Sequence, residues 1–423
     1  MNSPDAPSPR SSNTRTRVLF LAWGDSIHAR RRIGIFTADP SFEVGVISTF
    51  AYEFENAKNY YLSKAMPPQE PRHDLLSRIR RWINRNRALP LHWLMKPFDK
   101  TTTLLEHSVL LNDMLMVRRY AREFQPDLVF AQTLLYPCYL ALLLPRRIPL
   151  MITFWNGDVT WWAQHDGIER AFKKKLVERA SRRAAAITVN SAAARDACLG
   201  YGAGADKVQL IRYPGVDLQL FNPSVAQVDA RQALAISARN VVLCPRGLGA
   251  YLNSDVIIEA ASLVLAQLPD TLFLFISGVG SDELWEEHLQ RASALGIAGD
   301  LRRDGKVDWK NMPLYYRAAN VMVSPSSNDS LPNCMLEAMA CGVPVVMGDI
   351  PQIREWVTHN ENGLLVPPRD AQLLANAILT VLRSDTFAEK FSKENLQLVQ
   401  REVDSRAVAG RIKQLVKKIA ILS

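Results

Sequence analysis

In a chain of 423 residues, one stretch gathers most of the groups that could do chemistry: SPSSNDSLPNCMLEAMACGVPVVMGD, residues 324–349. An apolar run ends at Pro325, a polar loop follows, and a helix is predicted to start near Pro332, with Leu336 and Ala340 turned inward. Proline suits a first helical turn because its missing donor would have no partner there anyway. The start of a helix presents backbone amides and the positive end of the dipole, which together favour a diphosphate. Asp329 precedes that helix and Glu337 lies within it, eight positions later. One carboxylate can then accept from the hydroxyls of a sugar and the other from those of a ribose. Neither acid is spaced as a dedicated metal-ligand pair. A plainer role fits the same residues, with Asp329 as a helix cap and Glu337 as a solvent-facing helix residue, and the residues alone leave both open.

Groups of this kind must be positioned by surrounding elements. Apolar runs begin at Arg17, Phe42, Asp127, Pro149 and Ala184, with helical stretches such as 168–183 between most of them. A loop around Pro214 and Phe221 interrupts the alternation, which restarts with runs at Asn240, Thr271, Asn320 and Pro344. Continuous apolar strands alternating with helices imply parallel sheets with right-handed crossovers. Two α/β domains are expected, 17–225 and 226–405, because a chain of this length exceeds one ordinary core. Residues 1–16 are polar and rich in Ser and Pro, and read as a disordered lead-in without the apolar middle of a secretory signal. Residues 406–423 read as a basic closing helix.

Composition narrows the class. Hydrophobic residues make up 48% of the chain and mean hydropathy is close to zero, as in ordinary globular α/β proteins. The richest apolar stretch, 134–144, is too short to span a bilayer and runs into Pro145. Five cysteines without a CxxC pair argue against a disulfide framework or a zinc site and point to a reducing cytoplasm. The formal charge of +9 suits an anionic lipid surface, nucleic acid or a phosphate-bearing substrate. Much of it falls in a predicted helical insertion at about 56–120. There, residues 71–100 hold eight Lys/Arg against two Asp, interleaved with Trp82, Trp93 and Phe98. Such a stretch can lie on an anionic membrane surface, or be a solvated insertion whose Trp residues pack on the domain. Nucleic acid is not expected as a partner, since no reader motif accompanies the charge.

The segment DSLPNCMLEAMACGVPVV, residues 329–346, resembles the signature of glycosyltransferase family 4, in which two acids enclose seven residues ahead of A-M-A-x-G-x-P-V-V. The resemblance continues through PQIREWV (351–357) and NGLLVPPRD (362–370), and upstream to PGVD (214–217) with Phe221, YYRAAN (315–320) and Ile27-His28 after the first strand. Together these pieces reach across nearly the whole chain in order. The resemblance implies a GT-B fold, two Rossmann-like domains with parallel sheets facing across a cleft. It also implies a nucleotide diphosphate sugar as donor, no required metal or other cofactor, and transfer to an acceptor hydroxyl with retained anomeric configuration.

Carried over by position, Glu337 matches the acid that holds the donor ribose, and Asp329 the acid that contacts the donor sugar, where the family usually has Glu. The backbones of Ser330, Leu331 and Asn333 match the diphosphate cradle. Arg246 matches the phosphate-binding arginine, which would neutralise the leaving diphosphate. The lysine that often follows that arginine is missing; its place falls near Leu252 or Asn253, and Asn253 is taken as a donor contact. Where many members have a His after the fifth strand, this chain has TFWNGD (153–158), which puts Trp155, Asn156 and Asp158 on the acceptor side. Gly24 permits close approach of the first loop to the donor, and His28 is expected to face the acceptor or the phosphates. Base selection is expected from loops near Gly278 and 305–309. The expected acceptor is a glycan or a lipid-linked molecule, with the protein cytoplasmic and peripheral on the inner membrane face. The alternatives are a GT-B phosphorylase or epimerase and a noncatalytic GT-B partner subunit; a nicotinamide oxidoreductase is disfavoured because no GxGxxG follows a strand.

Overall fold

The computed structural model describes residues 15–24, 26–62, 110–133, 136–154, 167–276, 282–329 and 331–421. Residues 1–14 of the expected lead-in, the basic aromatic stretch 71–100, Trp155, Asn156, Asp158, Gly278 and Ser330 lie outside them, while Thr16, assigned to that lead-in, already opens the first strand. Two compact units emerge, 1–189 with 196–209 and 412–423, and 190–195 with 210–411.

The first unit carries seven strands: β1 (Thr16–Ala22), β2 (Phe42–Ser48), β3 (Lys58–Tyr61), β4 (Leu128–Ala131), β5 (Leu150–Phe154), β6 (Ala186–Val189) and β7 (Val208–Leu210). Their order is β3-β2-β1-β4-β5-β6-β7, and the pairs from β3 to β6 run parallel. The second unit has six: β8 (Asn240–Cys244), β9 (Thr271–Ile276), β10 (Leu301–Asp304), β11 (Val321–Ser324), β12 (Val345–Gly348) and β13 (Leu364–Val366). They lie in the order β10-β9-β8-β11-β12-β13, all parallel. Both sheets are of the doubly wound kind that the apolar runs imply.

The strands of the second sheet are apolar throughout because both faces are covered. Val241 and Leu243 of β8 enter one core with Met322 and Val345. Val242 and Cys244 enter the other with Val323 and Val346. Successive side chains of a strand point to opposite faces, so a strand buried on both sides has no polar period to show.

In each sheet the strand order reverses beside the first strand, at β1/β4 and at β8/β11. Loops leaving the carboxyl ends of strands at such a switch point form the ligand crevice of an open α/β sheet. In the second unit those loops carry Arg246 after β8 and Asp329 after β11. In the first, Gly24 and His28 follow β1.

Several boundaries differ from the expectation. The second unit begins at Leu210 rather than after 225. Val216 forms backbone hydrogen bonds with Val403 and Ser405 at 2.7 and 2.9 Å, and Phe221 is fully buried in the second core. The closing helix, Ser405–Ile421, is present, but from Ile412 it belongs to the first unit. There Lys413 pairs with Asp39 at 2.8 Å and Lys417 lies over the Phe42 ring. The two ends of the expected insertion are core elements: 58–61 is β3, and 110–124 is helical with Val117 and Phe124 buried.

Gly348, the last residue of β12, backs onto the loop after β11. A Cβ there would sit 2.4 Å from the Ser326 carbonyl oxygen and 3.0 Å from the Pro325 carbonyl carbon. Both are main-chain atoms, so relief requires a shift of the loop that carries Asp329. Gly348→Ala should therefore destabilise the second unit by about 1–3 kcal/mol, the usual cost of overpacking. Urea unfolding measures it, and an unchanged midpoint would contradict the packing described.

Candidate functional site

Arg246 follows β8 by two residues and reaches across the switch point. Its Nη1 donates to Ser326 Oγ at 3.1 Å and forms an ion pair with the Asp329 carboxylate. The Asp329 side chain is only 8% exposed and that of Arg246 21%, so this is a shielded pair rather than a surface salt bridge. Burial lowers the Arg246 pKa, and Cys334 and Asp329 together outweigh it and raise it. The Cys334 thiol is itself pushed up to about 12, chiefly by burial. The thiol therefore stays protonated at neutral pH, and thiolate chemistry is not available here.

The loop then feeds the helix Asn333–Ala340, whose N-cap is Pro332, with no side-chain capping bond. Asp329 is therefore not the helix cap; it faces the arginine. Leu331 is buried in the second core, which leaves its backbone as the part of it that can serve a ligand. Asn333 opens the helix with a buried Oδ1 that has no hydrogen-bond partner among the described residues.

One turn further, Glu337 is 8% exposed and far from a solvent-facing residue. Trp309 Nε1 donates to its Oε1 at 2.9 Å, and the Tyr316 hydroxyl donates to its Oε2 at 2.9 Å. Tyr316 is completely buried, and burial, then Glu337, drives its phenol far above the ordinary value. It therefore stays protonated and donates to Glu337. Both rings pack on Phe221, with centroid separations of 5.2 Å for Trp309 and 6.0 Å for Tyr316. Arg246, Asp329, Asn333 and Glu337 thus line one end of one sheet: a cation, an amide-rich helix start and two held carboxylates.

Known proteins resemble this chain in both sequence and fold. Residues 60–220 match the family model described as Glycosyltransferase Family 4, and 227–397 that of Glycosyl transferases group 1. The two halves of the chain thus each resemble glycosyltransferases, the first half those of family 4. The chain is 33% identical over 213 residues to a D-inositol 3-phosphate glycosyltransferase of Kribbella flavida, covering 47% of this chain and 48% of that protein. The chain thus spans about half the length of the curated relatives it matches. Its fold resembles sucrose-phosphate synthase from Thermosynechococcus elongatus, with TM-score 0.70, 20% identity, and 97% and 100% of the two chains covered. HepE of Anabaena in complex with UDP gives TM-score 0.71 at 18% identity, over 95% and 100%. These likenesses are those of the GT-B fold.

Within this GT-B frame the remaining expected residues fall into place unevenly. Asn253 adopts left-handed backbone angles, φ 54° and ψ 45°, ahead of the helix Ser254–Leu265. Asn tolerates that region better than most residues, which accounts for its presence. Its amide nitrogen donates to the Pro325 carbonyl at 2.7 Å and to Ser327 Oγ at 2.8 Å. Its Oδ1 accepts from Arg369 at 3.2 Å. Asn253 therefore binds the two loops of the site together, and Leu252 beside it is buried. Neither replaces the missing lysine as a cation.

In the first unit, a Cβ on Gly24 would lie 2.3 Å from Ser48 Oγ and 3.0 Å from the Phe50 carbonyl oxygen, so a larger residue would have to displace the Ser48 side chain. His28 sits in the first turn of the helix Ile27–Thr37, capped by Ser26. Its pKa is lowered by burial and then by Arg31 and Arg32, so the ring is neutral at pH 7. No group of His, Cys, Asp or Glu that could hold a metal occurs among the described residues. Sequence reasoning missed Ser326 and the donors on Glu337; Tyr316 stood inside a quoted motif, but nothing marked its partner.

Removing one member of a shielded ion pair strands the other, at about 3–5 kcal/mol. Asp329→Ala and Arg246→Ala should each lower the melting temperature, and the double variant should lose less than their sum, by about 0.5–3 kcal/mol. Strictly additive losses would show that the pair does not interact in solution.

Proposed function

We propose that this chain transfers a sugar from a nucleoside diphosphate donor to an acceptor hydroxyl, with retention and without a metal. The observation that carries the reading is the convergence of Arg246, the Asn333 helix start and the buried Glu337 at the β8/β11 switch point. A ribose diphosphate needs those three things: acceptors for its hydroxyls, amides for its phosphates and a cation for the charge that grows as the sugar departs. HepE of Anabaena, a structural neighbour, was solved in complexes with UDP and with UDP-glucose, which favours a nucleotide sugar. The name of the Kribbella relative favours a hydroxyl-rich, phosphate-bearing acceptor.

In this reading Glu337 holds the ribose, and Arg246 exchanges its partner. Without ligand it is neutralised by Asp329; with donor it faces the diphosphate, and the Asp329 carboxylate turns to a sugar hydroxyl. The guanidinium and the helix amides then stabilise charge on the leaving diphosphate more strongly in the transition state than in the bound donor. The acceptor hydroxyl attacks from the face the diphosphate leaves, which retains configuration. The basic, aromatic residues 71–100 favour a lipid-linked acceptor at the cytoplasmic face of an anionic membrane. Among the described residues no helix is long and apolar enough to cross one.

A thermal-shift panel of UDP-, GDP- and ADP-sugars tests the reading. At least one should raise the melting temperature, since ligand at 100 times its Kd adds about 2.7 kcal/mol. Arg246→Ala should remove most of that shift. No shift with any donor would contradict the proposal.

A further inference from the structure

Glu337 is the second acid of the family signature, yet the acid by itself does not explain how its carboxylate is aimed. A glutamate has three side-chain torsions, and its terminal one is broad, so an unrestrained carboxylate samples many orientations. Here both oxygens are held. The Trp309 indole donates to one at 2.9 Å and the Tyr316 phenol to the other at 2.9 Å.

The two donors differ in kind. Tyr316 is fully buried and lies in the helix Met312–Ala318, so it belongs to the core of the unit. Trp309 opens a short 3-10 turn, Trp309–Asn311, whose geometry is set by Asp308 accepting from the Lys310 amide at 2.9 Å. It is only half-buried. Its ring is fixed by Phe221, 5.2 Å away at 54°. An indole nitrogen can only donate, so this contact requires an acceptor oxygen and prevents that oxygen from swinging away. A phenylalanine could keep a ring against Phe221 but would be smaller and would lack the donor.

We infer that Trp309 is a positioning residue for the donor. With Tyr316 it clamps Glu337 so that the carboxylate presents its outer acceptor positions side by side to the cis-diol of a ribose. A carboxylate offers about four acceptor sites, so accepting from Trp309 and Tyr316 does not exclude accepting from a ribose diol as well. Trp309 thereby sets the preference for ribonucleotide over deoxyribonucleotide donors without touching the nucleotide itself. The inference rests on Glu337 being the ribose acid.

Calorimetric titration of the full chain with UDP and GDP, and with their 2′-deoxy and 3′-deoxy forms, tests it. The wild type should bind one ribonucleotide at least about tenfold more tightly than a deoxy form, the weight of one hydrogen bond to a charged group. Trp309→Phe keeps the ring on Phe221 and removes the donor. It should weaken the ribonucleotide by about tenfold and leave the deoxy form within about twofold, collapsing the ratio. Tyr316→Phe should collapse it likewise. If Trp309→Phe keeps the wild-type ratio, whatever its absolute affinity, the inference is overturned. Glu337→Gln separates the two levels. Loss of the ratio in Glu337→Gln but not in Trp309→Phe leaves the ribose reading standing and removes only the role of Trp309. A wild type that binds neither nucleotide, or shows no ratio, removes both.

Discussion

The arrangement turns on one shielded pair of charges. Arg246 and Asp329 come from different crossovers, one after β8 and one after β11, and meet where the strand order reverses. Taking either charge out of water alone would be costly, and each makes the other tolerable. The pair also fixes the spacing of the two loops. Ser326 accepts from the same guanidinium, and Asn253 ties its own turn to Pro325 and Ser327. A ligand that brings negative charge to this point can replace the carboxylate as partner of Arg246, whereas a neutral one would have to leave a charge uncompensated. The chemistry of the site is therefore selective before any shape is considered.

Around that pair the fold supplies acceptors and donors of opposite character. The helix start at Asn333 offers amides and a positive dipole end, while Glu337, one turn on, offers a carboxylate held from two sides. A pyrophosphate attached to a ribose has the complementary order of groups. The short side chain of Asp329 accords with this arrangement. It reaches the guanidinium directly, so the substitution of Asp for the family's Glu coincides with a closed ion pair rather than with an empty place.

Much of this was legible in the residues. Nine of the strands announced themselves as continuous apolar runs, Asp329 and Glu337 stood out as acids around a predicted helix start, and Arg246 came from the family resemblance. The four strands that escaped notice, β3, β7, β10 and β13, are the edge strands of the two sheets and only three or four residues long, too short for an apolar run or an alternation to stand out; β10 reads LRRD. Asn253 drew attention as the residue near the missing lysine's place, whereas its left-handed backbone and its bonds to Pro325 and Ser327 are invisible in a sequence. The bond between Trp309 and Glu337 joins residues 28 positions apart through a turn of no regular period, and no pattern of residue types encodes such a meeting. The junction between units was placed too late because 210–221 looks like a loop, although Val216 pairs with Val403 and Phe221 fills a core.

The central claim is that a nucleotide's diphosphate rests at the Asn333 helix start against Arg246, with the ribose on Glu337. A crystal of the full chain soaked with UDP or GDP addresses it most directly. The account predicts phosphate oxygens within hydrogen-bonding distance of the Arg246 guanidinium and the first helical amides, and ribose hydroxyls on the Glu337 carboxylate. Nucleotide bound elsewhere, with Arg246 still locked to Asp329, would contradict it.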